Sequence, residues 1–199
     1  EYFVKGEISM TKMVSELNNQ LMLYRDQTNQ VQFNILDSHD TPRLLTLARG
    51  DKDLMRQVMA FTYLQQGVPC LYYGDEIGLT GDMDPDCRKC MVWEEEKQDR
   101  DLLRFTTDLI HLRKSHQKIL SEGSLNWNVI SEEEGLIIFE RELGAQRIIG
   151  IFNTGEDQLT LSCPEEILLD QFMQIEDETM IIDNKGFVIA KINNEISNN

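Results

Sequence analysis

Met10, Met13, Val14, Leu17 and Leu21 recur at helical spacing and mark the apolar face of an amphipathic helix over residues 10–24. Ser9 or Thr11 supplies the N-cap hydroxyl. Residues 31–36 read as a short strand. Residues 51–66 read as a second helix, which Gly67 stops and Pro69 prevents from resuming. Residues 68–73 are a second strand, apolar almost throughout, with Cys70 inside it as a buried thiol. Nearly continuous apolar strands separated by a helix predict a parallel sheet buried on both faces. A polar loop over 80–98 leads into a third helix over 99–115, with Leu102, Phe105, Leu109 and Leu112 along one side.

Beyond Ile119 the period changes. Segments 136–142, 146–152, 158–162, 172–175 and 186–192 alternate as short strands. Turns such as Leu143-Gly144-Ala145 and Thr154-Gly155-Glu156 separate them. This predicts a small antiparallel β-sandwich after an α/β portion, with the boundary near residue 120. Of the aromatic residues in this second part, Trp127, Phe139, Phe152, Phe172 and Phe187, the alternation turns most inward, which leaves no evident platform for stacking sugars.

Composition narrows the function classes. The 199 residues are 41 % hydrophobic and 27 % charged, which is globular, and the net charge is −16. No Lys/Arg-rich block exists to meet a phosphate backbone, so DNA, RNA and anionic membranes are excluded as partners. No apolar run approaches the ~20 residues that cross a bilayer. The acid balance suits a neutral substrate. Four cysteines without a framework spacing point to a reducing, cytoplasmic compartment.

Both predicted parallel strands run into polar clusters, Asp37-Ser38-His39-Asp40 after the first and Gly74-Asp75-Glu76 after the second. Ligands of parallel α/β folds sit at the carboxyl ends of strands, so two such deliveries suggest an active-site rim. Helix caps and first-turn acids are the competing reading. Ser38, His39 and Asp40 are too close in sequence to form a hydrolytic triad, and no glycine-rich dinucleotide fingerprint follows either strand. Cys87-Arg88-Lys89-Cys90 has metal or redox spacing. A structural zinc site usually needs a second such pair or added histidines, so a pair of free thiols is favoured and no metal is expected.

Three ordered segments resemble the α-amylase family of glycoside hydrolases, in particular its neopullulanase, maltogenic amylase and cyclomaltodextrinase group. Phe33-Asn34-Ile35-Leu36-Asp37-Ser38-His39-Asp40 resembles the motif that ends the seventh barrel strand in a His-Asp pair. Gly67-Val68-Pro69-Cys70-Leu71-Tyr72-Tyr73-Gly74-Asp75-Glu76 resembles the eighth-strand motif. Arg88 to Trp93 is similar to R-x-P-M-x-W, with Cys90 in place of proline.

The resemblance implies the closing βα units of a (β/α)8 barrel followed by a β-domain. Asp40 would be the carboxylate that stabilises an oxocarbenium-like transition state, and His39 would donate a hydrogen bond to the same sugar. Asp84 and Arg88 would bind sugars further along. Arg43 would bind sugar or hold Asp40, Asp75 and Glu76 would brace the strand end, and Trp93 would pack under its loop.

A whole barrel needs ~250 residues and a retaining glycosidase needs two carboxyl groups about 5–5.5 Å apart, which the family supplies from earlier strands. The nucleophile and acid/base are therefore expected upstream of Glu1, and the chain by itself is expected to be inactive. The implied partners are an α-glucan oligosaccharide or cyclodextrin, the missing N-terminal part of the same protein, and a second copy of the chain. A glucan-binding module and an amylase-like scaffold without chemistry are the rival readings.

Overall fold

The computed structural model describes residues 2–193. Glu1, which opens the predicted segment before the first helix, and 194–199, the end of the predicted β-domain, lie outside the described residues. The chain begins with three helices, α1 (Tyr2–Lys5), α2 (Met10–Leu23) and α3 (Asp26–Asn29). The Ser9 hydroxyl caps α2 by accepting from the Lys12 amide at 3.2 Å. Strand β1 (Phe33–Ile35), α4 (Leu44–Leu47), α5 (Lys52–Leu64) and β2 (Val68–Cys70) follow. Asp51 caps α5 by accepting from the amides of Asp53 and Leu54. Asp99 caps α6 (Arg100–Ser115) in the same way, and α7 (Gln117–Glu122) leads into the sheet.

β1 and β2 pair in parallel, with Phe33 opposite Val68 and Ile35 opposite Cys70. Both are shorter than the apolar pattern implied, and they are not buried on two faces. Phe33 is 69 % and Ile35 57 % exposed, and Cys70 is exposed rather than buried. The reason is local. Among the described residues these strands pair only with each other, and the face of the pair that carries Phe33, Ile35, Val68 and Cys70 is exposed.

The second half is one six-stranded antiparallel sheet of β3 (Ser124–Ser131), β4 (Leu136–Leu143), β5 (Gln146–Asn153), β6 (Leu159–Ser162), β7 (Glu166–Glu176) and β8 (Thr179–Asn193), in the order β3-β4-β5-β8-β6, with β7 along the other side of β8. One face of the sheet carries a small core of Leu136, Ile151, Met180, Ile182, Val188 and Ala190. The other face joins the helices. Phe61 of α5 packs edge-on against Phe139 and Phe152, with ring centroids at 5.4 and 5.6 Å. Four of the five aromatics of this half thus face inward, and Phe172 alone is largely exposed. The sequence reading missed β3, whose Asn and Ser residues dilute its alternation. It also missed α7, which is only six residues long.

Polar contacts fix how the two halves meet. Gln57 donates to the Asn153 and Gly186 carbonyls, and Lys185 pairs with the capping Asp51 at 2.7 Å. The end of α5 is the most constrained point. Its last carbonyls would be orphaned in a dry interior. Arg113 of α6 donates to the carbonyls of Tyr63, Gln65 and Gly67. Arg141 of β4, fully buried, donates to those of Leu64, Leu120, Gly123 and Ser124. Burial lowers both guanidinium pKa values to about 10, so both remain charged at neutral pH. Replacing Arg141 by leucine should cost about 3 kcal/mol or more by orphaning several buried carbonyls. Urea unfolding followed by far-UV circular dichroism and by tryptophan fluorescence of a Trp93→Phe background, which leaves Trp127 as the reporter, should show one lowered transition for both probes.

Candidate active site

The parallel pairing of β1 with β2 sets two carboxyl ends side by side. From the first, Asp37 to Arg43 forms a loop that is fastened at both ends. Asp37 Oδ2 accepts from the Leu44 amide at 2.7 Å, capping α4 from within the core. The Arg43 amide donates to the Gly81 carbonyl, and its Nη1 donates to the Tyr73 carbonyl at 2.6 Å and to Asp75 Oδ1 at 3.3 Å. From the second strand, Gly74 turns the chain at φ 89°, where a side chain would collide with Leu79, and starts the 3-10 turn of Asp75–Ile77. The Gly74 amide is taken up by Glu76 Oε2.

Asp37, Arg43 and Asp75 thus form a buried polar knot beneath the loop. The guanidinium carbon of Arg43 lies 4.5 and 4.8 Å from the ring centres of Tyr72 and Tyr73, and these π-faces stand against a cation whose Nε and Nη2 find no hydrogen-bond acceptor. Burial first, and then the neighbouring Asp37, push the Asp75 carboxyl up to about 9. Asp75 therefore keeps its proton at neutral pH and accepts from Arg43 as an uncharged acid.

Above the knot lies a more open group. His39 Nε2 is 3.2 Å from Asp40 Oδ2. Arg88, on the loop after β2, reaches Asp40 Oδ1 with Nη2 at 3.2 Å and Asp84 Oδ1 with Nε at 2.8 Å. The His39 carbonyl accepts from Arg88 Nε at 3.0 Å and from Cys87 Sγ at 3.1 Å. The Asp40 and His39 side chains are 69 % and 62 % exposed, so carboxylate and imidazole line a rim that a solute can reach.

Of the five residues that the sequence singled out, the structure brings together His39, Asp40, Asp84 and Arg88. It sets Arg43 apart, wholly buried and bonded to the second strand's turn rather than placed where a sugar could touch it. Asp75 and Glu76 brace that turn, as expected. Trp93 does not pack under its loop and is 78 % exposed. The competing reading of the strand-end acids as helix caps holds for Asp37, whereas sequence reasoning overlooked Cys87 as a tie to the His39 carbonyl. No group of three or more His, Cys, Asp or Glu is arranged to hold a metal among the described residues.

Two parallel strands with an acidic and imidazole-bearing rim at their carboxyl ends, backed by an antiparallel sheet, have the architecture of the last βα units of a (β/α)8 barrel with its following β-domain. The chain belongs to the α-amylase family: residues 2–99 match the α-amylase catalytic domain. It is 49 % identical over 155 residues to the intracellular maltogenic amylase of Bacillus subtilis, covering 78 % of this chain and 26 % of that protein. It is 38 % identical over 161 residues to neopullulanase 2 of Thermoactinomyces vulgaris, covering 80 % and 27 %. A solved cyclomaltodextrinase superimposes with a TM-score of 0.79 at 35 % identity, covering 96 % of this chain and 34 % of the other. The chain spans about a quarter of the length of these curated relatives. No helix of the described residues is long and apolar enough to cross a membrane.

The knot carries a pH signature. The folded pKa of Asp75, about 9, exceeds its ordinary 3.8, so folding takes up a proton between those values. The stability this proton contributes is complete below the ordinary value and is lost as pH rises through the folded one. Asp75→Asn mimics the protonated acid and should remove that decline. Urea midpoints should fall as pH rises from the ordinary 3.8 to about 9 in the wild type, and fall less steeply in the variant.

Proposed function

We propose that this chain supplies the seventh and eighth βα units, over residues 1–120, and the C-terminal β-domain, over 121–199, of a retaining α-glucan hydrolase. Its substrates would be the α-1,4 bonds, and also α-1,6 bonds, of cyclodextrins, pullulan or maltooligosaccharides. The observation that carries this reading is the rim itself, in which Asp40 is held from one side by His39 and from the other by Arg88. A neutral, hydroxyl-rich substrate that develops positive charge in its transition state needs a carboxylate beside the reacting carbon and donors for its hydroxyls. Asp40 supplies the first. His39 supplies a ring N–H, and Asp84 and Arg88 offer an acceptor and a fork of donors for sugars further along.

The nucleophile and the acid/base would come from barrel strands outside this sequence, which fits the share of the relatives that the chain spans. Their partner surface is present here. A groove of about 560 Å³ runs beside the exposed face of β1, lined by Phe3, Leu17, Leu21, Phe33, Ile35 and Phe61. Apolar side chains of this kind suit the packing of further barrel elements or of a second copy of the chain. Residence inside the cell suits four free cysteines and the kinship with an intracellular enzyme. A separate glucan-binding role for the β-domain finds no support, because four of its five aromatics are committed to the core and Phe172 stands alone on the surface.

The deciding experiment is hydrolysis of cyclodextrin and pullulan by the full-length protein, wild type against Asp40→Asn, with folding checked by circular dichroism. A loss in kcat of ~10³-fold with the fold intact is expected for removal of one preorganised transition-state contact. Near-normal turnover would reduce Asp40 to a structural residue and overturn the site. The chain without the rest of the barrel should release no reducing sugar.

A further inference from the structure

Cys87 and Cys90 flank Arg88, the side chain that joins Asp40 to Asp84, and the proposed glucan chemistry uses neither thiol. Cys87 is fully buried and donates its S–H to the His39 carbonyl, whereas Cys90 is exposed, and both are free. Their spacing brings them within one local rotation of each other. Arg88 already lies in the 3-10 turn of Asp86–Arg88, and Lys89, at φ −55° and ψ 149°, is the extended residue that holds the sulfurs apart. Turning ψ of Lys89 into the turn region makes a four-residue reverse turn, which brings the two Cα atoms to the roughly 4.4–6.8 Å that a disulfide spans. That rotation swings the Lys89 carbonyl, which at present accepts from the Tyr73 hydroxyl at 2.7 Å.

We propose that Cys87 and Cys90 are a redox-active dithiol, and that its closure to a disulfide loosens the loop carrying Asp84 and Arg88 against the turn carrying His39 and Asp40. The oxidant is a low-molecular-weight disulfide. The thiolate of the exposed Cys90 attacks one of its sulfurs and expels one small thiolate, leaving a mixed disulfide. Cys87 then gives its proton to solvent, attacks the Cys90 sulfur and expels the second small thiolate. Two protein thiols are oxidised and one small disulfide is reduced to two thiols. Oxidised Cys87 has no S–H left for the His39 carbonyl, and Tyr73 loses its acceptor on Lys89. The Cys87 tie to the His39 carbonyl and the Tyr73 tie to Lys89 are thereby lost, and Arg88 alone of residues 87–89 still holds the loop to His39 and Asp40. The dithiol itself is independent of the glucan reading, and only its effect on turnover rests on that reading.

The test exposes the reduced full-length protein to oxidised glutathione, alkylates the remaining thiols, and maps tryptic peptides without reduction, since trypsin cuts after Arg88 and Lys89. The expected product is a Cys87–Cys90 link that dithiothreitol reverses, with neither residue linked to Cys70 or Cys163. Hydrogen exchange of the amides of residues 38–43 should then quicken by ~10-fold or more in the oxidised wild type. It should not change in Cys90→Ser, a substitution at an exposed side chain that should leave the fold intact. Glutathione remaining on Cys90, or both cysteines recovered as thiols, would overturn the dithiol. A link that forms without changing exchange at 38–43 would overturn its coupling to the rim.

Discussion

The end of α5 is the point on which the rest of the molecule depends. A helix that stops in a dry interior leaves carbonyl oxygens with nothing to accept, and water cannot reach them. Here two buried guanidinium groups converge on that end from opposite directions, Arg113 from α6 and Arg141 from β4. A cation at a helix C-terminus also complements the helix dipole. The residues that Arg113 holds, Tyr63 to Gly67, lead directly into β2. The place where the second parallel strand begins, and hence where its carboxyl end delivers Tyr73 and Asp75, is therefore set by a pair of arginines more than a strand's length away.

The same logic operates at the opposite end of β2, with different chemistry. Arg43, Asp37 and Asp75 are stabilised less by attraction than by the absence of any cheaper arrangement. Two carboxyls and one guanidinium share a buried site, and the proton kept by Asp75 limits the charge brought into it. Because Asp37 and Arg43 bracket the five positions from Ser38 to Pro42, of which His39, Asp40 and Thr41 are exposed, rigidity below the rim becomes position above it. Preorganisation of this kind lets an exposed carboxylate hold one orientation without being buried.

Much of this was legible in the sequence, and the limits are physical. Helices α2, α5 and α6 could be read because a 3.6-residue apolar period and an Asp or Ser cap act locally. His39, Asp40, Asp84 and Arg88 could be grouped because motif order carried them. Arg43 could not be placed, since an arginine in a polar loop gives no local sign of whether it faces solvent or two tyrosine rings. The exposure of β1 and Cys70 was hidden for a related reason. An apolar strand is written for the neighbours it expects, and its sequence does not say which of them lie in the same chain. β3 and α7 fell below the threshold of any periodic signal, because the first mixes asparagine into its alternation and the second is barely longer than a turn.

Phe61 stacks its edge against Phe139 and Phe152, and also meets Phe3 and Trp127, so helix and sheet share one aromatic cluster. This bears on how such chains can be recombined. A crossover between homologous genes at the junction of α7 and β3 would look clean in a linear map, yet it would divide one packed interior between two parents. The lineage is then expected to inherit the antiparallel sheet and α5 as a single genetic block, with substitutions on one side answered by substitutions on the other.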